Sequence, residues 1–362
     1  MHPGPKLALQ RLVHQRIATP TRASPAAAVS RLLAVQAQDY LGALWAVGLR
    51  TSGATERAVE RALAAREIVR TWALRGTIHL VAAADLRWLL ELLAPREVQR
   101  AAGRRAQLRL DGATIAKSAR IVARALRGGK QLKRNDLYAL LEQAGIACAS
   151  SRGLHILRHL AQDGVVCFGA REGKQPTFAL LEEWVPWARS LPRDEALGML
   201  ALRYFAGHGP ATSQDLAWWS GLGLREARTG LAAVASRLER EVIAGQAYHW
   251  TGQGAAPRPR RGDAFLLPPF DEFLMGYRDR GAALAAEHAG LVSPGGNGIF
   301  HPVVVLGGRV AGTWRRTIGK DGVAMTFTPF LPFTDRQRAA VATAAGRYGK
   351  FLGAGVRVAS AR

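Results

Sequence analysis

Residues 24–50 read SPAAAVSRLLAVQAQDYLGALWAVGLR. Ser24 followed by Pro25 marks a helix start, with a side-chain acceptor at the cap and then a ring whose φ is already helical. Val29, Leu32 and Leu33 follow on one stripe at helical spacing, and Gln36 falls on that stripe where a core helix would carry leucine. A second amide, Gln38, comes two residues later, then Asp39 and Tyr40. On a continuous helix, residues i and i+2 diverge by about 200°, so the two amides could not serve one site. On extended chain they share a side. The spacing therefore predicts a helix end near Ala37 with both amides facing one cleft. The plainer alternative is a glutamine that satisfies a neighbouring backbone group at a helix end.

Working outward, residues 1–23 are basic, with a short helix expected over Leu7–Ile17. TERAVERALAAR, Thr55–Arg66, reads as an amphipathic helix capped by Thr55. IVRTWALRGTIHLV, Ile68–Val81, is β-branched and aromatic. If extended, it puts Arg75, Thr77 and His79 on one face and Trp72, Leu74, Ile78 and Leu80 on the other. Gly76 reads as either a bulge or a turn. A helix resumes at Asp85–Leu93. Residues 94–130 read as a basic helical connector holding Arg96, Arg100, Arg104, Arg105, Arg109, Arg120, Arg124 and Arg127.

The pattern then recurs. Helices over Asn135–Gln143 and Ser151–Gln162 precede a hairpin of VVCFGA and PTFALL around REGKQ. Helix, helix, hairpin is the winged-helix order, and Arg152, His155, Arg158 and His159 give the second helix the composition of one approaching DNA. Residues 194–251 repeat it, with helices over Glu195–Ala206, Ser213–Trp219 and Leu224–Leu238 and the strand pair EVIA and AYHW. The expected fold class is α+β: three tandem winged-helix units, at 1–93 (with an N-terminal helix), 131–183 and 194–251, and a small β-rich subdomain at 263–362 with a final helix over Thr334–Leu352. Gln253–Gly262, QGAAPRPRRG, reads as a linker before it.

Lys and Arg total 50 against 27 Asp and Glu, a formal charge of +23, with a sequence pI near 11.3. Such an excess points to a polyanion, above all nucleic acid; an Arg-rich, GC-biased coding sequence would also produce it. Two cysteines, Cys148 and Cys167, are too few for a disulfide framework. No apolar run suits a membrane span and residues 1–20 lack a signal-peptide core, so the expected location is the cytoplasm, with the nucleoid. No phosphate-cradling glycine loop and no GxSxG elbow occur, so neither a nucleotide cofactor nor an esterase nucleophile is expected. His155 and His159 have a metal-ligand spacing without the glutamate of the metalloprotease pattern, and no metal is expected.

Three further sites carry candidate chemistry. In DEFLMGYRDR, Asp271–Arg280, either Arg278 and Arg280 pair with Asp271, Glu272 and Asp279 as a structural network, or Tyr277 stacks while the arginines reach phosphate. Trp314–Arg315–Arg316 reads as a strand-end DNA contact or as a tryptophan closing a β core. Arg75, Thr77 and His79 line either the exposed face of a wing or the cleft of Gln36 and Gln38.

VQAQD with GALWAVGLR, then RGTIHLV, LPPFDEFLMGYRDR and GGRVAGTWRR, occur in this order. Together they resemble the winged-helix DNA glycosylases of the AlkZ and YcaQ type. The resemblance implies three tandem winged-helix units with a β-rich C-terminal part. It implies excision of N7-alkylated purines from double-stranded DNA, including those in interstrand cross-links. It also implies that Gln36-Ala37-Gln38 matches the family's Gln-apolar-Gln motif, which makes Gln36 and Gln38 the catalytic pair and Asp39 a weaker rival. An N7-alkylpurine is already cationic and leaves readily, so a positioned water and a polar group suffice. A monomer acting without cofactor is expected. The competing functions are a non-catalytic winged-helix regulator and a metal-dependent nuclease.

Overall fold

The computed structural model describes residues 4–252, 262–296, 298–319 and 322–359. Most of the expected linker, 253–261, lies outside the described residues.

Helix α1 (Gly4–His14) precedes a first set of elements: α2 (Pro25–Leu32), β1 (Ala34–Gln36), α3 (Tyr40–Arg50), α4 (Glu56–Ala64), β2 (Ile68–Leu74) and β3 (Thr77–Ala82). Ser24 and Thr55 cap α2 and α4 by accepting from the amides of Ala27 and Ala58. α5 (Ala83–Arg100) and α6 (Ala102–Gln107) lead to a second set: α7 (Gly112–Leu126), β4 (Leu132–Lys133), α8 (Arg134–Gln143), α9 (Arg152–Gln162), β5 (Val166–Glu172) and β6 (Gln175–Leu180). After α10 (Leu181–Trp184) comes a third: α11 (Arg193–His208), α12 (Ser213–Ser220), α13 (Leu224–Val234), β7 (Glu239–Ile243) and β8 (Gln246–Trp250). The first two sets share one order of helix, short strand, helix, helix and hairpin. In the third an isolated bridge, Ala211 to His249, stands where the short strand would be.

Two arrangements differ from the sequence reading. The first two sets share one sheet, ordered β1-β3-β2-β5-β6-β4 and joined where Arg70 of β2 meets Phe168 of β5. Residues 94–130 are also more than a connector. Ile115, Val122 and Leu126 of α7 lie in the core of the second set with Leu137, Leu157 and Phe178, because that stripe of α7 is apolar.

The C-terminal part follows as β9 (Ala264–Leu267), α14 (Glu272–Met275), α15 (Ala289–Val292), β10 (Val303–Leu306), β11 (Arg309–Gly319), β12 (Gly322–Pro329), α16 (Asp335–Leu352) and β13 (Val356–Ala359). Its sheet runs β13-β12-β11-β10-β9. The expected strand FLLPPFDEFLMGY breaks after Leu267, since prolines cannot donate to a ladder, and continues as the short α14. Among the described residues, its core is continuous with that of the first set. Leu266, Val304, Trp314 and Tyr348 share one cluster with Val29, Leu32, Leu44 and Trp45 of the first set. A second cluster joins Leu33, Val69 and Val81 to Leu200, Tyr204 and Trp219 of the third set, and to Tyr277.

Candidate active site

The helix expected to run to Ala37 stops at Leu32. Leu33 takes a left-handed backbone (φ 65°), its N–H returning to Ser30 O. The kink sends neighbouring leucines apart, Leu32 into the first cluster and Leu33 into the second. It also frees residues 34–36 to pair with β3, in the register Ala34–Val81, Val35–Leu80, Gln36–His79. Ladder pairing of a buried strand has displaced the helical continuation, because in a dry interior each main-chain N–H and C=O needs a fixed partner. Gln36 and Gln38 are therefore separated by extended chain, as their spacing predicts.

Three backbone groups of the motif are tied to three different elements. The Gln36 N–H donates to Glu272 Oε1 at 3.3 Å. The Ala37 N–H donates to Ile78 O at 2.7 Å, and the Ala37 carbonyl accepts from Arg70 Nη2 at 3.1 Å. The side chains differ more. Gln38 is exposed, and its Oε1 accepts from the Ile78 N–H at 3.0 Å. That bond fixes the amide plane and turns the NH₂ outward. Gln36 is 8 % exposed. Its carboxamide has no partner among the described residues, yet is not sealed from solvent. Asp39 is half-buried at the N-cap of α3 and makes no capping bond.

Beneath Gln36 lies a buried charged cluster built on Asp271 and Glu272. Asp271 receives a bidentate contact from Arg50, at 2.8 and 2.9 Å, and both side chains are 1 % exposed. Arg50 also donates to Gln15 Oε1, and Gln15 Nε2 donates to Glu272 O and to the Tyr277 hydroxyl. Glu272 Oε2 accepts from Trp219 Nε1 at 2.8 Å and lies 3.2 Å from His208 Nε2. Burial alone would raise the Glu272 pKa. The His208 hydrogen bond and charge, with lesser help from Arg75, outweigh it and hold the carboxyl below its ordinary value. The sequence reading of a structural network here is right for the two acids and wrong about their partners. Arg278 offers its backbone N–H to Asp215, and Arg280 Nε donates to Leu274 O. Arg50, His208 and Trp219 went unnoticed, although an arginine ending the apolar run GALWAVGLR was a signal: a buried guanidinium needs an acid.

The remaining candidates fall into two groups. Tyr277 and Trp314 are core residues, not stacking surfaces. The Tyr277 hydroxyl donates to His208 O, and Trp314 Nε1 donates to Leu267 O. His79 is fully buried and cannot face a bound duplex. Arg75 lies in the β2–β3 turn with Gly76, both at positive φ, and bonds Trp219 O. This two-residue turn settles the Gly76 alternative in favour of a hairpin. A side chain at Gly76 would also collide with the Arg158 guanidinium, so Arg158 packs against the first hairpin. Arg152 is turned back onto the carbonyls of Ala147, Leu108 and Arg109. Thr77 bonds Leu74 O. Arg316 bonds the Tyr348 hydroxyl. Arg278 and Arg315 are exposed. Arg280 lies 5.0 Å from the ring centres of both Trp218 and Phe300.

A family model described as DNA glycosylase AlkZ-like matches residues 29–351. The chain belongs to the AlkZ-like DNA glycosylase family. A relative from Streptomyces sahachiroi, named interstrand DNA cross-link repair glycosylase, is 28 % identical over 93 % of this chain and 95 % of its own. The solved structure of Streptomyces sahachiroi DNA glycosylase AlkZ superposes with a TM-score of 0.82 at 26 % identity, covering 98 % of this chain and 99 % of that one. Among the described residues of this AlkZ-like chain, no cluster of His, Cys, Asp and Glu is placed to hold a metal ion, and no helix is long and apolar enough to cross a membrane.

Proposed function

We propose that the chain hydrolyses the N-glycosidic bond of N7-alkylated purines in double-stranded DNA, and of those tethered in interstrand cross-links, with Gln36 and Gln38 as the working pair. The three sets of helices and hairpins are read as winged-helix units that carry the DNA. The reading rests on one observation above the others. In a chain of this family, two amides two residues apart sit on a backbone pinned by Glu272, Arg70 and β3, and one of them stands open to solvent. A pinned backbone supports catalysis because a misplaced polar group loses most of its effect.

The chemistry asks little of the protein. The cationic purine leaves with its bonding electrons and becomes neutral, and C1′ acquires oxocarbenium character. Water adds there and loses a proton to solvent, leaving an abasic site. The amides are neutral at pH 7 and act by holding water and substrate, not by taking the proton. No lysine amine is invoked, so the reaction stops at the abasic site and the enzyme is monofunctional. The exposed Arg278 and Arg315 are suited to phosphate contacts, and the excess positive charge to a salt-dependent grip on the duplex. The protein is read as a monomer associated with the nucleoid.

The test is purified protein with an N7-methylguanine duplex, in the presence of a chelator, scored for abasic sites. Release is expected from wild type, with Gln38→Ala at least about a hundredfold slower and Asp39→Asn near wild type. Binding without release would favour a non-catalytic DNA-binding protein. If Asp39→Asn is dead while Gln38→Ala turns over normally, the assignment of the working pair is wrong.

A further inference from the structure

The row of side chains across β1, β3 and β2 at the site is Gln36, His79 and Thr71. All three project to one face, since residues opposed in a ladder share a side. Because Ala37 N–H goes to Ile78 O and Gln36 N–H goes away from the sheet to Glu272, Gln36 and His79 form a non-hydrogen-bonded pair. In such pairs the opposed side chains approach most closely.

His79 has its ring fixed in one protonation pattern. Nδ1 lies 2.9 Å from Thr77 O. A carbonyl only accepts, so Nδ1 carries the proton. Burial, reinforced by the nearby positive charge of Arg75 and opposed by Glu272, lowers the His79 pKa to about 4. At neutral pH the imidazole is therefore uncharged, and Nε2 presents a lone pair. That lone pair is buried and has no partner among the described residues. The adjacent Gln36 carboxamide has none either. A buried acceptor left open is expensive, and here it opposes the residue assigned to catalysis.

We propose that His79 is a positioning residue: in the DNA-bound enzyme its Nε2 accepts a hydrogen bond from the Gln36 NH₂, which turns the Gln36 carbonyl toward the reacting water. The inference rests on the glycosylase reading above. It divides the work between the amides. Gln38, held through its carbonyl by Ile78 N–H, presents NH₂. Gln36, held through its NH₂ by His79, presents C=O. One amide donates to the substrate and the other accepts from water, a distinction that the sequence motif, with two identical residues, does not contain.

The experiment compares His79→Phe, which keeps a ring and removes the acceptor, with His79→Gln, whose side-chain oxygen can stand near Nε2, and with Thr71→Val. Single-turnover release of N7-methylguanine is measured with Kd for the duplex and with thermal melting. His79→Phe is expected to slow release about tenfold or more at unchanged Kd. His79→Gln should recover most of that loss, and Thr71→Val should stay within about twofold of wild type. Combined with Gln36→Ala, His79→Phe should add almost nothing, as residues acting through one another do. Wild-type rates in His79→Phe, an additive double mutant, or an equal loss in Thr71→Val would overturn the inference. A second readout separates this failure from failure of the glycosylase reading, and serves if His79→Phe does not fold. In ¹⁵N-labelled wild-type protein bound to an abasic-site duplex, a coupling across a hydrogen bond between the Gln36 side-chain amide and His79 Nε2 is expected. Its absence overturns the inference even in an active enzyme; its presence in an inactive one upholds the contact and rejects the activity.

Discussion

Two polar clusters flank Gln36, and they are built in opposite ways. Below its backbone, Asp271 and Glu272 have their oxygens engaged: by Arg50 and the Phe273 amide on one acid, and by Trp219, His208 and the Gln36 N–H on the other. Beside its side chain, His79 Nε2 and Thr71 Oγ1 are equally buried and have no hydrogen-bond partner among the described residues. The first cluster does the work of folding. It ties α3, α11, α12 and the C-terminal part to the strand that carries the motif. The second holds capacity in reserve, and unspent hydrogen-bonding capacity in a dry place is where a ligand, a water or a moving side chain is expected.

The contrast can be broken at the saturated side first. Asp271→Ala strands Arg50 without a counter-charge in a site 1 % exposed. A loss of about 3–5 kcal/mol in unfolding free energy is expected, measured by urea titration. A loss below about 1 kcal/mol would mean that the cluster is not structural.

A second effect comes from the buried histidines. The pKa of His79 is lowered from 6.5 to about 4, mainly by burial, and that of His14 likewise. Between those values the unfolded chain binds protons that the folded chain refuses, so stability rises with pH across this window. It is complete above 6.5 and falls as pH drops toward 4. The His79 contribution is about 3 kcal/mol over that range. His79→Gln should flatten the melting-temperature profile between pH 6.5 and 4, and an unchanged slope would show that His79 is not buried as described.

The smallest expected effect is Trp219→Phe, which removes one donor from Glu272 Oε2 and leaves His208 in place. A cost of about 1–3 kcal/mol is expected, with slower N7-methylguanine release if the carboxylate also steadies the Gln36 backbone. Stability lost without any change in release would confine Glu272 to folding.

Several things were legible in the residues themselves. The caps at Ser24 and Thr55, the helices and hairpins with their order, and the i, i+2 spacing of the two amides are local signals. They depend on neighbours within a few positions, where propensity, capping and periodicity act. The resemblance carried by four short segments pointed to the family that the comparisons bear out. Other features were not legible. Nothing near Leu33 announces that it will take a left-handed backbone and end the helix early, because the cause is a strand pairing with residues 79–81. Nor could the sequence say that Arg75, Tyr277 and Trp314 would be spent on structure while Arg278 and Arg315 remained outside.

By itself, then, the chain of residues determined the elements, the excess of positive charge and the presence of two amides at extended spacing. Only the tertiary structure decided which of those amides is held by its oxygen, which acid lies beneath them, and which imidazole waits beside them. The physical reason is that burial and hydrogen-bond partnership are set by residues as far apart as 36 and 272. At that separation no periodicity or local propensity carries information, and the partner is chosen by packing alone.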